Sequence, residues 1–120
     1  MTVCFAHYNR RFILKSLGIN PADIVADGPF RQSKTSVDDG CQIDYLIQTR
    51  TNNLFICEFK FRRKELSMEM INELKSKIKA LKVPRGFACV PVLFHIGGVS
   101  ESLATSDYFY RIIDIAEFLQ

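Results

Sequence analysis

Three charged side chains sit in two apolar-rich runs that read as strands: Asp44 in the run that follows Gly40, and Glu58 and Lys60 in Leu54–Phe61, LFICEFKF. Two carboxylates held near one another repel, and burial penalises both, unless a cation compensates them. A divalent cation such as Mg²⁺ would do so: it takes one or two carboxylates, keeps several waters and meets a phosphate. A lysine two residues beyond the second carboxylate supplies a fixed positive charge beside that centre. What the residue types suggest by themselves is a place for a divalent cation that can meet a phosphate.

The elements that must position these residues form a hairpin over Gly40–Lys64, turning at Thr51-Asn52-Asn53. Side chains alternate along a strand, so Glu58 and Lys60 share a face with Leu54 and Ile56, while Phe55, Cys57, Phe59 and Phe61 line the other. A three-residue loop at Thr51–Asn53, with Asn53 left-handed, sets Arg50 opposite Leu54, Leu46 opposite Glu58 and Asp44 opposite Lys60. All three charges then gather on one face. A two-residue loop would move Asp44 to the other face. Gln42, one pleat from Asp44, is a candidate for orienting water or phosphate.

Around the hairpin the pattern predicts a first helix from about Val3 to Leu17, stopped by Gly18, and a turn at Asn20–Asp23. A break at Asp27-Gly28-Pro29 precedes a first strand over Phe30–Thr35. Ser67 is placed to cap a helix running to about Lys82, with Met68, Ile71, Leu74, Ile78 and Leu81 on its core face and Lys75, Lys79 and Lys82 opposite. The run GFACVPVLFHI, 86–96, reads as a central strand buried on both faces, with a bulge or an exit from pairing expected at Pro91. A short helix over Ser100–Thr105, a strand over Phe109–Asp114 and a turn at Glu117–Leu119 complete the order α-β-β-β-α-β with a βα tail.

At 120 residues, 48% hydrophobic and 24% charged, the chain is expected to form a single globular domain, 1–120. A net charge of +3, from 16 basic and 13 acidic residues, permits a nucleic-acid partner without requiring one. No apolar run approaches the roughly 18 residues of a membrane span, and no signal-peptide core opens the chain. Cys4, Cys41, Cys57 and Cys89 lie far apart with no C-x-x-C pair, which fits reduced thiols and a cytoplasmic location better than zinc ligands or a disulfide framework. Without G-x-x-x-x-G-K-[ST] there is no P-loop.

Ile43-Asp44 followed after a hairpin turn by Glu58-Phe59-Lys60 resembles the motif of the PD-(D/E)XK nuclease superfamily. More narrowly, the chain from about Asn9 to Gln120 resembles the C-terminal domain attached to a group of prokaryotic AAA-type ATPases. That likeness rests on GCQIDYLIQTRTN, CEFKF, Ala26-Asp27-Gly28-Pro29 and Pro84-Arg85-Gly86-Phe87. The resemblance implies a restriction-endonuclease-like α+β core with a mixed sheet flanked by helices. It implies a catalytic set of Asp44, Glu58 and Lys60, and Mg²⁺ (Mn²⁺ as a substitute) on Asp44, Glu58 and the Phe59 carbonyl. It further implies hydrolysis of nucleic acid, DNA foremost. An AAA-type ATPase is an implied partner, and a homodimer another, since nucleases of this fold often pair. Family members often carry a further acid on the first helix. This chain has none before Asp23, so that helix is expected to be truncated, and a degenerate module that binds DNA or serves an ATPase is the alternative.

Arg62, Arg63 and Lys64 directly after the second strand, and Lys34 and Arg31 before the hairpin, read either as phosphate contacts or as solvated charge. Glu58 and Lys60 have a plain reading too, as a surface ion pair on a sheet. His95, alone at a strand end, reads as structural.

Overall fold

The computed structural model describes residues 9–62 and 64–117, the side chain of Glu117 excepted. A five-stranded mixed sheet runs in the order β1 (Ile24–Gln32), β2 (Cys41–Thr49), β3 (Asn53–Phe61), β4 (Ala88–Ile96), β5 (Arg111–Asp114). β1, β2 and β3 form an antiparallel meander, and β3, β4 and β5 are parallel. Helix α1 (Arg10–Leu17) covers one face with Ile13, Leu14 and Leu17, packed on Tyr45, Ile47, Cys57, Phe59, Val92 and Phe94. Helix α2 (Glu69–Ala80), the crossover between β3 and β4, covers the other face with Met70, Ile71 and Leu74 against Ile43, Ile56 and Leu93. Helix α3 (Glu101–Ala104), capped by the Ser100 hydroxyl, precedes β5. The mixed sheet flanked by helices and the αβββαβ order agree with expectation.

Local chemistry explains the boundaries. Gly18 ends α1 in the left-handed conformation, φ 69°, where its N–H and that of Ile19 donate to the carbonyls of Lys15 and Leu14. The expected start of this helix at Val3, with Phe5 and Tyr8, lies outside the described residues. β1 begins at Ile24 rather than Phe30, so Asp27-Gly28-Pro29 does not break the chain. An edge strand tolerates a proline, and Pro29 falls at an irregularity between the paired residues Gly28 and Phe30. No Ser67 side-chain bond caps α2. The helix starts later, at Glu69, and Met68 is exposed.

Pro91 causes no bulge. It stays in register with Ile56, and its carbonyl accepts the N–H of Tyr110. Its missing N–H therefore faces the β5 side, where strand pairing begins only at Val92. The last strand starts at Arg111, two residues later than expected, and a 3₁₀ turn over Ile115–Glu117 follows it; Phe118 and Leu119 lie outside the described residues.

The hairpin turn is Arg50–Asn52, one residue earlier than the sequence suggested, and Asn52 rather than Asn53 takes the positive φ, 63°. The register becomes Leu46↔Ile56 and Tyr45↔Cys57, a shift of two residues. A two-residue shift keeps each side chain on its face, so Glu58 and Lys60 still face α2 with Ile56. The consequence is that Asp44 comes beside Glu58 rather than Lys60.

A candidate metal centre at the β2–β3 gap

β2 carries one extra residue where Asp44 lies. From Gly28 to Phe30, β1 advances two residues, while its partners on β2, Leu46 and Ile43, are three apart. This is a β-bulge at Asp44-Tyr45, and a bulge re-aims the side chains it carries. Ile43 packs on the α2 side and Tyr45 on the α1 side, so the simple alternation is broken between them. On the α1 side the Tyr45 hydroxyl donates to Asp27, whose carboxylate also accepts from Arg10 Nε at 2.7 Å. These bonds tie the bulge to β1 and α1. They hold the Asp27 carboxyl below its ordinary range despite its partial burial, which pushes the other way.

Freed by the bulge, Asp44 turns its carboxylate toward β3, where Oδ2 accepts the backbone N–H of Phe59 at 2.9 Å. In a strand the N–H and C=O of one residue point to the same side, so the Phe59 carbonyl faces this gap as well. Glu58, only 2% exposed, lies on the α2 face. Its Oε1 accepts from Lys77 Nζ at 2.5 Å, while Oε2 is buried with no hydrogen-bond partner. Burial, foremost, and the neighbouring Asp44 carboxylate push the Glu58 carboxyl up to about 7, even though Lys77 pulls it down.

Lys60 Nζ stands 3.6 Å from Glu73 Oε2 on α2. Two ion pairs thus bridge β3 and α2, Glu58–Lys77 and Lys60–Glu73. The two-residue step on the strand matches the four-residue step on a helix running the opposite way. Sequence reasoning missed Lys77. Its signal is a lysine on the buried stripe Met70, Leu74, Lys77, Leu81, where spacings of four, three and four place it inward.

The other candidates lie apart from this cluster. Gln42 is exposed and opposite Arg31 on β1. Cys41 and Ile43 on either side of it pack toward α2, so Gln42 points away from Glu58, a correction that follows from the bulge. Arg62 and Lys64 are exposed just beyond the carboxyl end of β3, Lys34 is exposed in the β1–β2 connection, and Arg63 lies outside the described residues.

Two carboxylates and a carbonyl are hard oxygen ligands of the kind Mg²⁺ or Mn²⁺ takes, and the unpartnered Glu58 Oε2 is a buried acceptor that such an ion would satisfy. No group of three or more Asp, Glu, His or Cys side chains able to hold a metal occurs among the described residues, so the remaining positions would fall to water or phosphate. The residues fit a sparsely liganded Mg²⁺.

Among solved structures, the chain is similar to a repair endonuclease from Pyrococcus abyssi. The TM-score is 0.50 at 14% identity, over 90% of this chain and 44% of that one. It shares the fold of the matched part of that structure. The chain thus spans less than half the length of this neighbour, and at such identity the likeness concerns the fold alone. No protein-family model and no curated protein matches the chain, and the comparisons do not show the likeness to an ATPase-associated domain. Among the described residues no helix is long and apolar enough to cross a membrane.

Proposed function

We propose that this domain hydrolyses phosphodiesters of nucleic acid, DNA foremost, at a PD-(D/E)XK-type centre formed by Asp44, Glu58 and Lys60. The observation that carries this reading is the buried Glu58 carboxylate with one unsatisfied oxygen, set against Asp44 across a bulge, with Lys60 two residues on. The endonuclease fold supports it.

Asp44, Glu58 through Oε2 and the Phe59 carbonyl would hold Mg²⁺, or Mn²⁺ in its place. When bound, the ion lowers the pKa of water and neutralises charge developing on the phosphate. The chain's own residues do the rest. The Phe59 N–H fixes Asp44 in one orientation. Lys60 directs its ammonium to the phosphate as water attacks phosphorus and the P–O bond to the leaving oxygen breaks, a charge already in place before the reaction. Arg62, Arg63, Lys64 and Lys34 would meet neighbouring phosphates, and Gln42, on the other side of the sheet from Glu58, would do so only at a distance from the reacting centre.

A second reading has its own support. Lys77 pairs with one oxygen of Glu58 and Glu73 pairs with Lys60, so both charges have partners within the fold, which favours a nuclease-like module that binds DNA without cutting it or serves an ATPase. Cleavage of supercoiled and single-stranded DNA in Mg²⁺ or Mn²⁺, with Asp44→Asn and Lys60→Met alongside, separates the two. Cutting that both variants lose supports the enzyme. DNA binding without cutting supports the module, and cutting that survives in both variants removes this centre from the reaction.

A further inference from the structure

The three parallel strands finish side by side, and one polar residue from each meets there on the α2 face. Lys60 pairs in register with His95, and His95 with Asp114, near the carboxyl ends of β3, β4 and β5. The flanking residues fix the face: Leu93 and Ile112 pack toward α2, whereas Phe94 and Ile113 pack toward α1. In open α/β sheets the carboxyl ends of parallel strands are where ligands bind.

His95 is 6% exposed and its Nδ1 is buried with no hydrogen-bond partner. Burial, only partly opposed by the Asp114 charge, holds its pKa below the ordinary value, so the ring is neutral at pH 7 and keeps an acceptor nitrogen. The Asp114 carboxylate is fixed in turn, Oδ1 accepting the N–H of Ala116. Lys60, the strand neighbour of His95, carries three donors, and among the described residues its ion pair is with the exposed Glu73, at 3.6 Å. In-register parallel residues lie about 5 Å apart at their Cα atoms, well within the reach of a lysine.

We propose that His95 is a positioning residue: it accepts one hydrogen bond from the Lys60 ammonium and aims the remaining donors at the Asp44–Glu58 centre. Glu73 and His95 are then alternative holders with different effects. A carboxylate cancels the lysine's charge, whereas a neutral imidazole orients it and leaves the charge available to a phosphate. This role rests on the function proposed above, but the Lys60–His95 contact can be measured without it.

The full chain has two histidines, His7 and His95, so its imidazole nitrogens are readily assigned by NMR with His95→Gln. Lys60→Met is expected to shift one His95 ring nitrogen, and Glu73→Gln to move the same nitrogen the opposite way as Lys60 is released toward it. In cleavage, His95→Phe is expected to lower kcat by about tenfold or more, the scale of a mispositioned group, with KM nearly unchanged, and His95→Gln, which keeps an acceptor, to recover part of the loss. Ring nitrogens indifferent to Lys60→Met, or a His95→Phe protein with wild-type kcat, would overturn the proposal. Should the wild-type chain not cleave, the nuclease reading falls. The nitrogen shifts then decide alone, their presence keeping the Lys60–His95 contact and their absence ending it.

Discussion

Replacing Glu58 by glutamine should make the metal-free protein more stable at pH 8 and no more stable at pH 5. The carboxyl of Glu58 rises from an ordinary 4.5 to about 7 in the fold. Between those values the folded state holds a proton that the unfolded chain releases, so stability falls as pH rises through this window. At about 1.4 kcal/mol per pH unit the fully ionised group costs roughly 3 kcal/mol above pH 7. Glutamine removes that charge but also the ion pair to Lys77. Lys77 is a third exposed and regains water, and a buried amide keeps unmet hydrogen-bonding capacity. The expected net gain is about 1–2 kcal/mol at pH 8, roughly 4–8 °C in Tm for a chain of this size, and near zero at pH 5 where Glu58 is already protonated. Thermal unfolding with EDTA at both pH values reads this out, and cleavage should be lost in the same variant. Equal stability at pH 8, or the same gain at both pH values, would refute the account of Glu58 as a charge that the fold itself leaves undercompensated.

The partner variant goes the other way. Lys77→Met leaves a buried carboxylate without its cation and should destabilise by about 3 kcal/mol at pH 8 and much less at pH 5, measured by urea unfolding. Ile56→Ala, at a fully buried position between β3 and α2, should cost about 2–5 kcal/mol at both pH values, which separates loss of packing from loss of charge balance.

The parts of the fold that follow periodicity were legible in the sequence. The alternation of β3 and the apolar run of β4 appear as their patterns imply, and so does the core face of α2 at Ile71 and Leu74, with Met70 buried in place of the exposed Met68. The hairpin register was misplaced by two residues because the turn falls at Arg50–Asn52, yet the face of Glu58 and Lys60 was right, since an even shift preserves it. The bulge at Asp44-Tyr45 has no signature in residue propensity. It is stabilised by long-range bonds of Tyr45 and Arg10 to Asp27, which no local pattern encodes. Gly28 and Pro29 read as a break because local preference is blind to the fact that β1 is an edge. Lys77 lies on the stripe of Met70, Leu74 and Leu81, but its partner Glu58 is on another element, and a lysine in a helix is usually solvated.

If Asp44 and Glu58 share one divalent cation, calorimetric titration with Mn²⁺ in buffers of different ionisation enthalpy registers both the ion and the proton it displaces. A carboxyl near 7 must give up its proton to become a ligand. The wild-type chain should therefore bind one ion with release of close to one proton at pH 6 and almost none at pH 8, and Asp44→Asn and Glu58→Gln should each abolish the binding. Absence of binding, or binding that survives Glu58→Gln with unchanged proton release, would contradict the account.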